Sequence, residues 1–351
     1  MFAARDLDDE YDESNQHVGL LNGMHMELNE HDKLIWEEEL ADFVSERVFD
    51  AHIHMFSPEH ISQPERAPWD LADLDVLRQW ADILYDGRPT SFLTLGSPLP
   101  GIDVQKHNGW CMQQIERDAQ SRFQRLVTPQ CAVEDIYNDC QQVGVVGLKP
   151  YRIFSVTGDI KECRIHEFLP HEQLELANDL GLWVTLHLSR QDACADEYNL
   201  ADLEEYTTRR YPNIKWILAH VARSFTYWPI KHGIERLRLL PNIYYDTSAV
   251  TELMPLVTLF KHESPERMFY GSDGIESMYF YGKYVALGRA WQGLDVRRTN
   301  LQFPHCDARP ILAIYEQLLS MKHAAEIAGL DRTDLDKIFF KNAQREFAIS
   351  I

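Results

Sequence analysis

Residues 48–54 read VFDAHIH, a β-branched and aromatic run that turns polar at its far end. In an extended segment residues i and i+2 point the same way, so His52 and His54 leave this strand together. Seven more runs of the kind follow: 91–97 (SFLTLGS), 124–131 (QRLVTPQC), 145–151 (VVGLKPY), 182–188 (LWVTLHL), 214–220 (IKWILAH), 242–248 (NIYYDTS) and 267–273 (RMFYGSD). Helical patterns fill most gaps, for example 133–143, 170–180, 200–210, 230–240 and 251–262. Several stop at Gly144, Gly181, Pro212 or Pro241, just before the next strand. Eight strands alternating with helices predict an α/β chain whose parallel sheet closes as a (β/α)8 TIM barrel. An open doubly wound sheet is the alternative, but no Gly-x-Gly-x-x-Gly follows an early strand to support it.

Two segments depart from the repeat, 55–90 after the first strand and 274–308 after the last. Both leave C-terminal strand ends, where barrel enzymes build their sites, and their length predicts lids or binding walls. Helical patterns at 309–328 and 333–348 close the chain. Ahead of the barrel, 30–47 places Leu34, Ile35, Leu40, Phe43 and Val44 near one face of an amphipathic helix, and 1–16 reads as an acidic tail. The expected division is therefore an extension over 1–47 and a barrel over 48–351.

The 351 residues carry 55 acids against 34 bases, for a net charge of −21. Fourteen of the acids and three of the bases fall within 1–47, so half of the surplus belongs to the extension. With no Lys/Arg block, nucleic acid and anionic membrane are excluded as expected partners. No apolar run reaches the length of a membrane span, and the acidic start is unlike a signal or transit peptide. Cys111, Cys131, Cys140, Cys163, Cys194 and Cys306 are scattered without a Cys-x-x-Cys pair, which fits reduced thiols in a cytoplasmic protein.

The polar residues that end the apolar strands point to chemistry. They are His52 and His54 on the first strand, Lys149 on the fourth, His187 on the fifth, His220 on the sixth and Asp273 on the eighth. One histidine at a strand end is usually a structural hydrogen-bonder, and fifteen histidines make a chance His-x-His unremarkable. Histidines at three separate strand ends plus an aspartate at the last are harder to obtain by accident. Imidazoles with a carboxylate are the ligand set of a catalytic Zn²⁺ or a similar borderline metal. Arg152, Arg190 and Arg223 lie just past strands four to six and suit an anionic small-molecule substrate, or else salt bridges to the many acids. Tyr151, Phe56, Phe225, Tyr227 and Tyr279 are candidates for aromatic walls.

The motifs FDAHIHMF (49–56), GLKPY (147–151), TLHLS (185–189), LAHVARS (218–224), YYDTSA (244–249), YGSDG (270–274) and DKIFFKNAQREF (336–347) resemble the amidohydrolase superfamily. Within it they are most similar to the amidohydrolase-related branch, which also holds aminocarboxymuconate-semialdehyde decarboxylase and related aromatic decarboxylases. The resemblance implies that His52, His54, His187 and Asp273 ligate one divalent metal, most simply Zn²⁺. It implies that Asp273 also acts as general base and that His220 stabilises developing charge or protonates a leaving group. In binuclear superfamily members a carbamylated lysine bridges two metals, so Lys149 implies either a second ion or a substrate contact.

The implied reaction is hydrolysis of an amide, cyclic amide or lactone through a metal-bound hydroxide. The alternative is non-oxidative decarboxylation of an aromatic or unsaturated acid, and Asp50 leans the choice to hydrolysis. A barrel that only binds ligands is the reading from another class, opposed by the intact ligand set. The branch also implies a homodimer, for which the 30–47 helix is the candidate contact.

Overall fold

A computed structural model describes residues 28–67, 69–274, 277–296, 305 and 309–349. The acidic tail 1–16 and Cys306 lie outside these residues. Eight parallel strands run in sequence order around one sheet: β1 (Val48–His54), β2 (Thr90–Leu95), β3 (Arg122–Val127), β4 (Val145–Pro150), β5 (Trp183–Leu186), β6 (Lys215–Leu218), β7 (Ile243–Asp246) and β8 (Met268–Phe269). Helices fill the intervals, among them Leu74–Leu84, Val104–Glu116, His171–Leu180, Tyr227–Leu237 and Leu253–His262. The sheet closes through the segment after β8. Ala51 N–H donates to the Tyr270 carbonyl at 2.8 Å, Asp273 N–H to that of His52 at 2.7 Å, and His54 N–H to that of Gly274 at 3.0 Å. The architecture is the expected (β/α)8 barrel.

The ladders stop short of several predicted strand ends. Residues 187–188, 219–220, 247–248 and 270–273 lie past the paired segments, so His187, His220 and Asp273 stand beyond the sheet, whereas His52, His54 and Lys149 are among the last residues within it. A bulge also intervenes in β1, where the register to β2 shifts between Asp50 and Ile53. Phe49 and Ala51 pack in one apolar cluster with Leu93, Leu95, Trp183, Ile217 and Phe269, whereas Ile53 joins the larger helix-side core. An extra residue in one strand re-aims the side chains beyond it. Here it turns His52 and His54 to the side on which Phe49 and Ala51 began.

At the opposite end Phe347 stacks at 5.6 Å on Phe49 of β1 and at 5.6 Å on Phe269 of β8, and lies tilted at 4.9 Å against Trp183 of β5. Strands one and five face each other across an eight-stranded barrel, so this ring lies across its N-terminal end. The helix Glu30–Ile35, which continues as a π-turn over Trp36–Leu40, starts from an Asn29/Asp32 capping box. It buries Trp36 and Leu40 in the core of its own chain, with Trp36 stacked on Tyr315.

The segment 55–90 is organised by short bridges, Phe56 to Ala72 and Ile61 to Ile102, ahead of the helix Leu74–Leu84. The segment after β8 contains a hairpin, β9 (Gly282–Leu287) with β10 (Ala290–Asp295), joined through Gly288 and Arg289. Gly288 has φ +67°, the conformation that two-residue hairpin loops demand. Among the described residues no helix is long and apolar enough to cross a membrane.

Candidate metal centre

The rim gathers His52, His220 and Asp273 so that their candidate ligand atoms all lie within 4.8 Å of one another, each residue buried. Nε2 of His52 and Nε2 of His54 are each 3.4 Å from Asp273 Oδ1. The His187 ring lies 5.2 Å from that of His220, which in turn is 4.9 Å from His52. The five metal and catalytic candidates are neighbours at the rim, but His54 and His187, expected as ligands, stand outside the converging group. His220, expected beside the metal, belongs to the tightest group. Gly271 makes room for the approach, since a Cβ there would stand 2.8 Å from the Cβ of His52.

Partners behind the rings decide which nitrogen carries the proton. Nδ1 of His52 is 2.8 Å from Asp246 Oδ2, Nδ1 of His54 is 3.2 Å from the Leu95 carbonyl, and Nδ1 of His220 is 3.0 Å from the Ser248 carbonyl. Carboxylate and carbonyl oxygens only accept, so each Nδ1 is the donor and each Nε2 keeps its lone pair for the centre. Burial pushes His54 down to about 4 and His220 to about 3, so both imidazoles are neutral at pH 7. Neutral rings with free Nε2 atoms beside a carboxylate are what a divalent cation requires. The donor set fits a metal.

His220 sits on an unusual backbone. It begins a run of four left-handed residues with φ +59° at His220, +53° at Val221, +55° at Ala222 and +59° at Arg223, none of them glycine. Asp273 is left-handed as well, at +62°. Each such residue costs about 1–2 kcal/mol, a strain that persists only where surrounding contacts over-determine it. The His220 N–H donates to Asp246 Oδ1 at 2.8 Å, and the Arg223 guanidinium donates to the Ser189 and Arg190 carbonyls.

Lys149 is fully buried, with Nζ 4.8 Å from the centroid of the Tyr151 ring and no hydrogen-bond partner among the described residues. Burial lowers its ammonium to about 8, opposed by Asp246 and Asp273. Arg223 falls to about 10 through burial and the nearby positive charge of Arg152. Arg152 donates to the Ile160 carbonyl at 2.8 Å. Arg190 is engaged elsewhere, with Asp196 at 2.8 Å and Glu162 at 3.0 Å. The Tyr151 ring is 6.4 Å from that of His54, and its hydroxyl donates to the Gly96 carbonyl.

An aromatic wall stands on the β6 side. Phe225 lies 5.2 Å from His220 and carries Trp291 of the hairpin at 4.3 Å, with Tyr284 next to Trp291. Phe56 and Tyr279 are spent elsewhere, against Trp69 and Trp80.

Two functional residues escaped the strand-end reading, Asp246 and Ser248, although both belong to the YYDTSA motif. Asp50 escaped the site. Its carboxylate accepts from the His52 N–H, the Ser272 N–H and the Ser272 hydroxyl. Burial raises it to about 7 against those bonds, and it does not join the ligand group. Its identity therefore gives no lean between hydrolysis and decarboxylation.

A family model for amidohydrolases, Amidohydro_2, matches residues 49–349. The chain belongs to the Amidohydro_2 family. Among curated proteins the chain has no match. Solved structures of similar fold include a probable 2-pyrone-4,6-dicarboxylic acid hydrolase from Acinetobacter baumannii with citric acid bound. It is 13% identical, covers 86% of this chain and 99% of its own, and has a TM-score of 0.54. A 2,6-dihydroxybenzoate decarboxylase from Rhizobium is 13% identical over 87% of this chain and 99% of its own, at TM-score 0.53. A dihydroxybenzoic acid decarboxylase from Polaromonas, with bound manganese and an inhibitor, is 13% identical over 87% and 97%, at TM-score 0.50.

Proposed function

We propose that this amidohydrolase is a metal-dependent hydrolase of a small anionic organic substrate, cleaving the C–N or C–O bond of an amide, cyclic amide or lactone. The observation that carries the reading is the set of Nε2 lone pairs turned toward the Asp273 carboxylate at the barrel rim. His52, His220 and Asp273, with His54 and His187 alongside, would hold one divalent cation, Zn²⁺ by the chemistry of the donors. Such an ion supplies Lewis acidity and a lowered pKa to water.

Asp273 takes the proton of the attacking water and returns it to the leaving group. Because His220 Nδ1–H is committed to Ser248, its Nε2 is an acceptor, so its part is to ligate instead of to protonate a leaving group. Lys149, Arg152 and Arg223 make the β4–β6 side electropositive, which suits a carboxylate-bearing substrate, with Tyr151 beside it and Arg190 held away by Asp196 and Glu162. Buried cysteines at 111, 163 and 194, unpaired with one another, support a cytoplasmic setting.

Decarboxylation of an aromatic or unsaturated acid is the second reading. It is favoured by the Phe225–Trp291 wall beside His220 and by the decarboxylases of the same fold. Incubating the metal-loaded protein with lactones, cyclic amides and aromatic carboxylates separates the two. Ring-opened product without CO₂ supports hydrolysis, and CO₂ release alone replaces it with decarboxylation. Turnover of neither class, with tight ligand binding, leaves the binding barrel.

A further inference from the structure

We infer that Asp246 is the positioning residue of this centre, one carboxylate that sets the tautomer of His52 and anchors the strained turn that carries His220. The inference rests on the metal-site reading only for its consequence, since the tautomers belong to the protein alone. Asp246 ends β7 between the two rings and is fully buried.

Its two oxygens are divided. Oδ2 accepts from His52 Nδ1 at 2.8 Å, and Oδ1 accepts from the His220 N–H at 2.8 Å, the Ser248 N–H at 3.1 Å and the Ser248 hydroxyl at 2.5 Å. With its only proton given to Asp246, the Ser248 hydroxyl oxygen is left as an acceptor, 2.9 Å from His220 Nδ1, whose proton it shares with the Ser248 carbonyl, and 3.1 Å from His52 Nδ1, where it is secondary to the Asp246 oxygen at 2.8 Å. Four donors converge on these two oxygens, so Asp246 stands there as a carboxylate that accepts four bonds and donates none.

The geometry makes Asp246→Asn informative. The amide keeps the shape, but its NH₂ cannot accept. If the Asn oxygen stays with the His220 and Ser248 donors, the NH₂ faces His52 Nδ1, and that ring must move its proton to Nε2. A carboxylate behind a histidine sets its tautomer, and the amide selects the wrong one. A proton on Nε2 points at the cation site and removes His52 as a ligand. Loss of such partners typically costs 10–100-fold in metal affinity.

The test uses the full chain labelled with ¹⁵N-histidine, freed of metal, followed by titration with Co²⁺. In the unaltered protein the ring nitrogens of His52 and His220 should report protonated Nδ1 and unprotonated Nε2. In Asp246→Asn the His52 pattern should reverse, and Co²⁺ affinity should fall 10-fold or more with altered absorption bands. Ser248→Ala should keep the His52 tautomer and weaken Co²⁺ binding less. A proton on Nε2 of His52 in the unaltered protein overturns the inference without any variant having to fold. An unchanged His52 pattern in a folded Asp246→Asn overturns it equally. Failure of the unaltered protein to bind Co²⁺ strikes the metal reading instead and leaves the tautomer result to decide the role of Asp246.

Discussion

Replacing Ala222 by glycine should leave the protein about as stable as before, although Ala222 is fully buried. The same change at Ala177, fully buried in the helix His171–Leu180, should weaken it markedly. At Ala177 glycine costs about 1 kcal/mol of helix propensity, and the lost methyl about 0.8 kcal/mol of burial. Ala222 loses the same methyl, and glycine adds roughly 0.4–1 kcal/mol of unfolded-chain entropy. Against these losses stands its backbone at φ +55°, where an alanine costs about 1–2 kcal/mol that glycine does not. The gains and losses cancel to within about 1 kcal/mol at Ala222, whereas Ala177→Gly keeps a deficit of about 2 kcal/mol. Urea unfolding of the metal-free full chain measures both, through the midpoint at a constant slope. A loss at Ala222 as large as that at Ala177 would show that the turn stores no strain and would refute the reasoning.

Phe347→Ala opens the N-terminal end of the barrel and should cost roughly 3–5 kcal/mol in the same assay, where a loss under 1 kcal/mol would mean that the ring is no plug. His107 is buried, with Nε2 accepting from the Ser97 N–H and Nδ1 3.1 Å from His60. Burial depresses it to about 3, so the folded state excludes a proton that the unfolded chain binds below about pH 6.5. The share of stability that rests on neutral His107 should therefore be lost as pH drops from about 6.5, roughly 2 kcal/mol at pH 5, and His107→Gln should lessen the slope by that share in urea titrations at each pH. Metal analysis of the purified protein should find one ion per chain, and a reproducible two would make Lys149 part of a second site. Arg152→Ala should raise KM for an anionic substrate by roughly 10–100-fold with little change in kcat, and an unchanged KM would remove Arg152 from the substrate site.

The barrel was legible because parallel strands covered on both faces read as apolar runs, and polar residues stand out where such a run ends. His52, His54, His187, His220 and Asp273 were found that way, and they meet at one rim. Alternation along VFDAHIH was a weaker guide. It groups Asp50 with His52 and His54, yet Asp50 turns to Ser272, and the bulge that separates them leaves no mark in the residue types. The hairpin was missed because its signal is a single Gly288 between short, half-buried strands.

Asp246 was hidden for a different reason. A carboxylate at a strand end reads the same whether it ligates, binds substrate or orients a histidine, and the choice is made by a ring 194 residues away and a backbone N–H 26 residues away. The left-handed turn is illegible outright, since His-Val-Ala-Arg carries no glycine and local preference opposes it. That turn is held by the His220 N–H bond to Asp246, the His220 Nδ1 bond to Ser248 and the bonds from the Arg223 guanidinium to distant carbonyls. The first ring of the centre therefore follows from local pattern. The orientation of its nitrogens follows from contacts that exist only once the barrel has closed, which makes metal affinity in this chain a property of β7 as much as of the strands that bear the ligands.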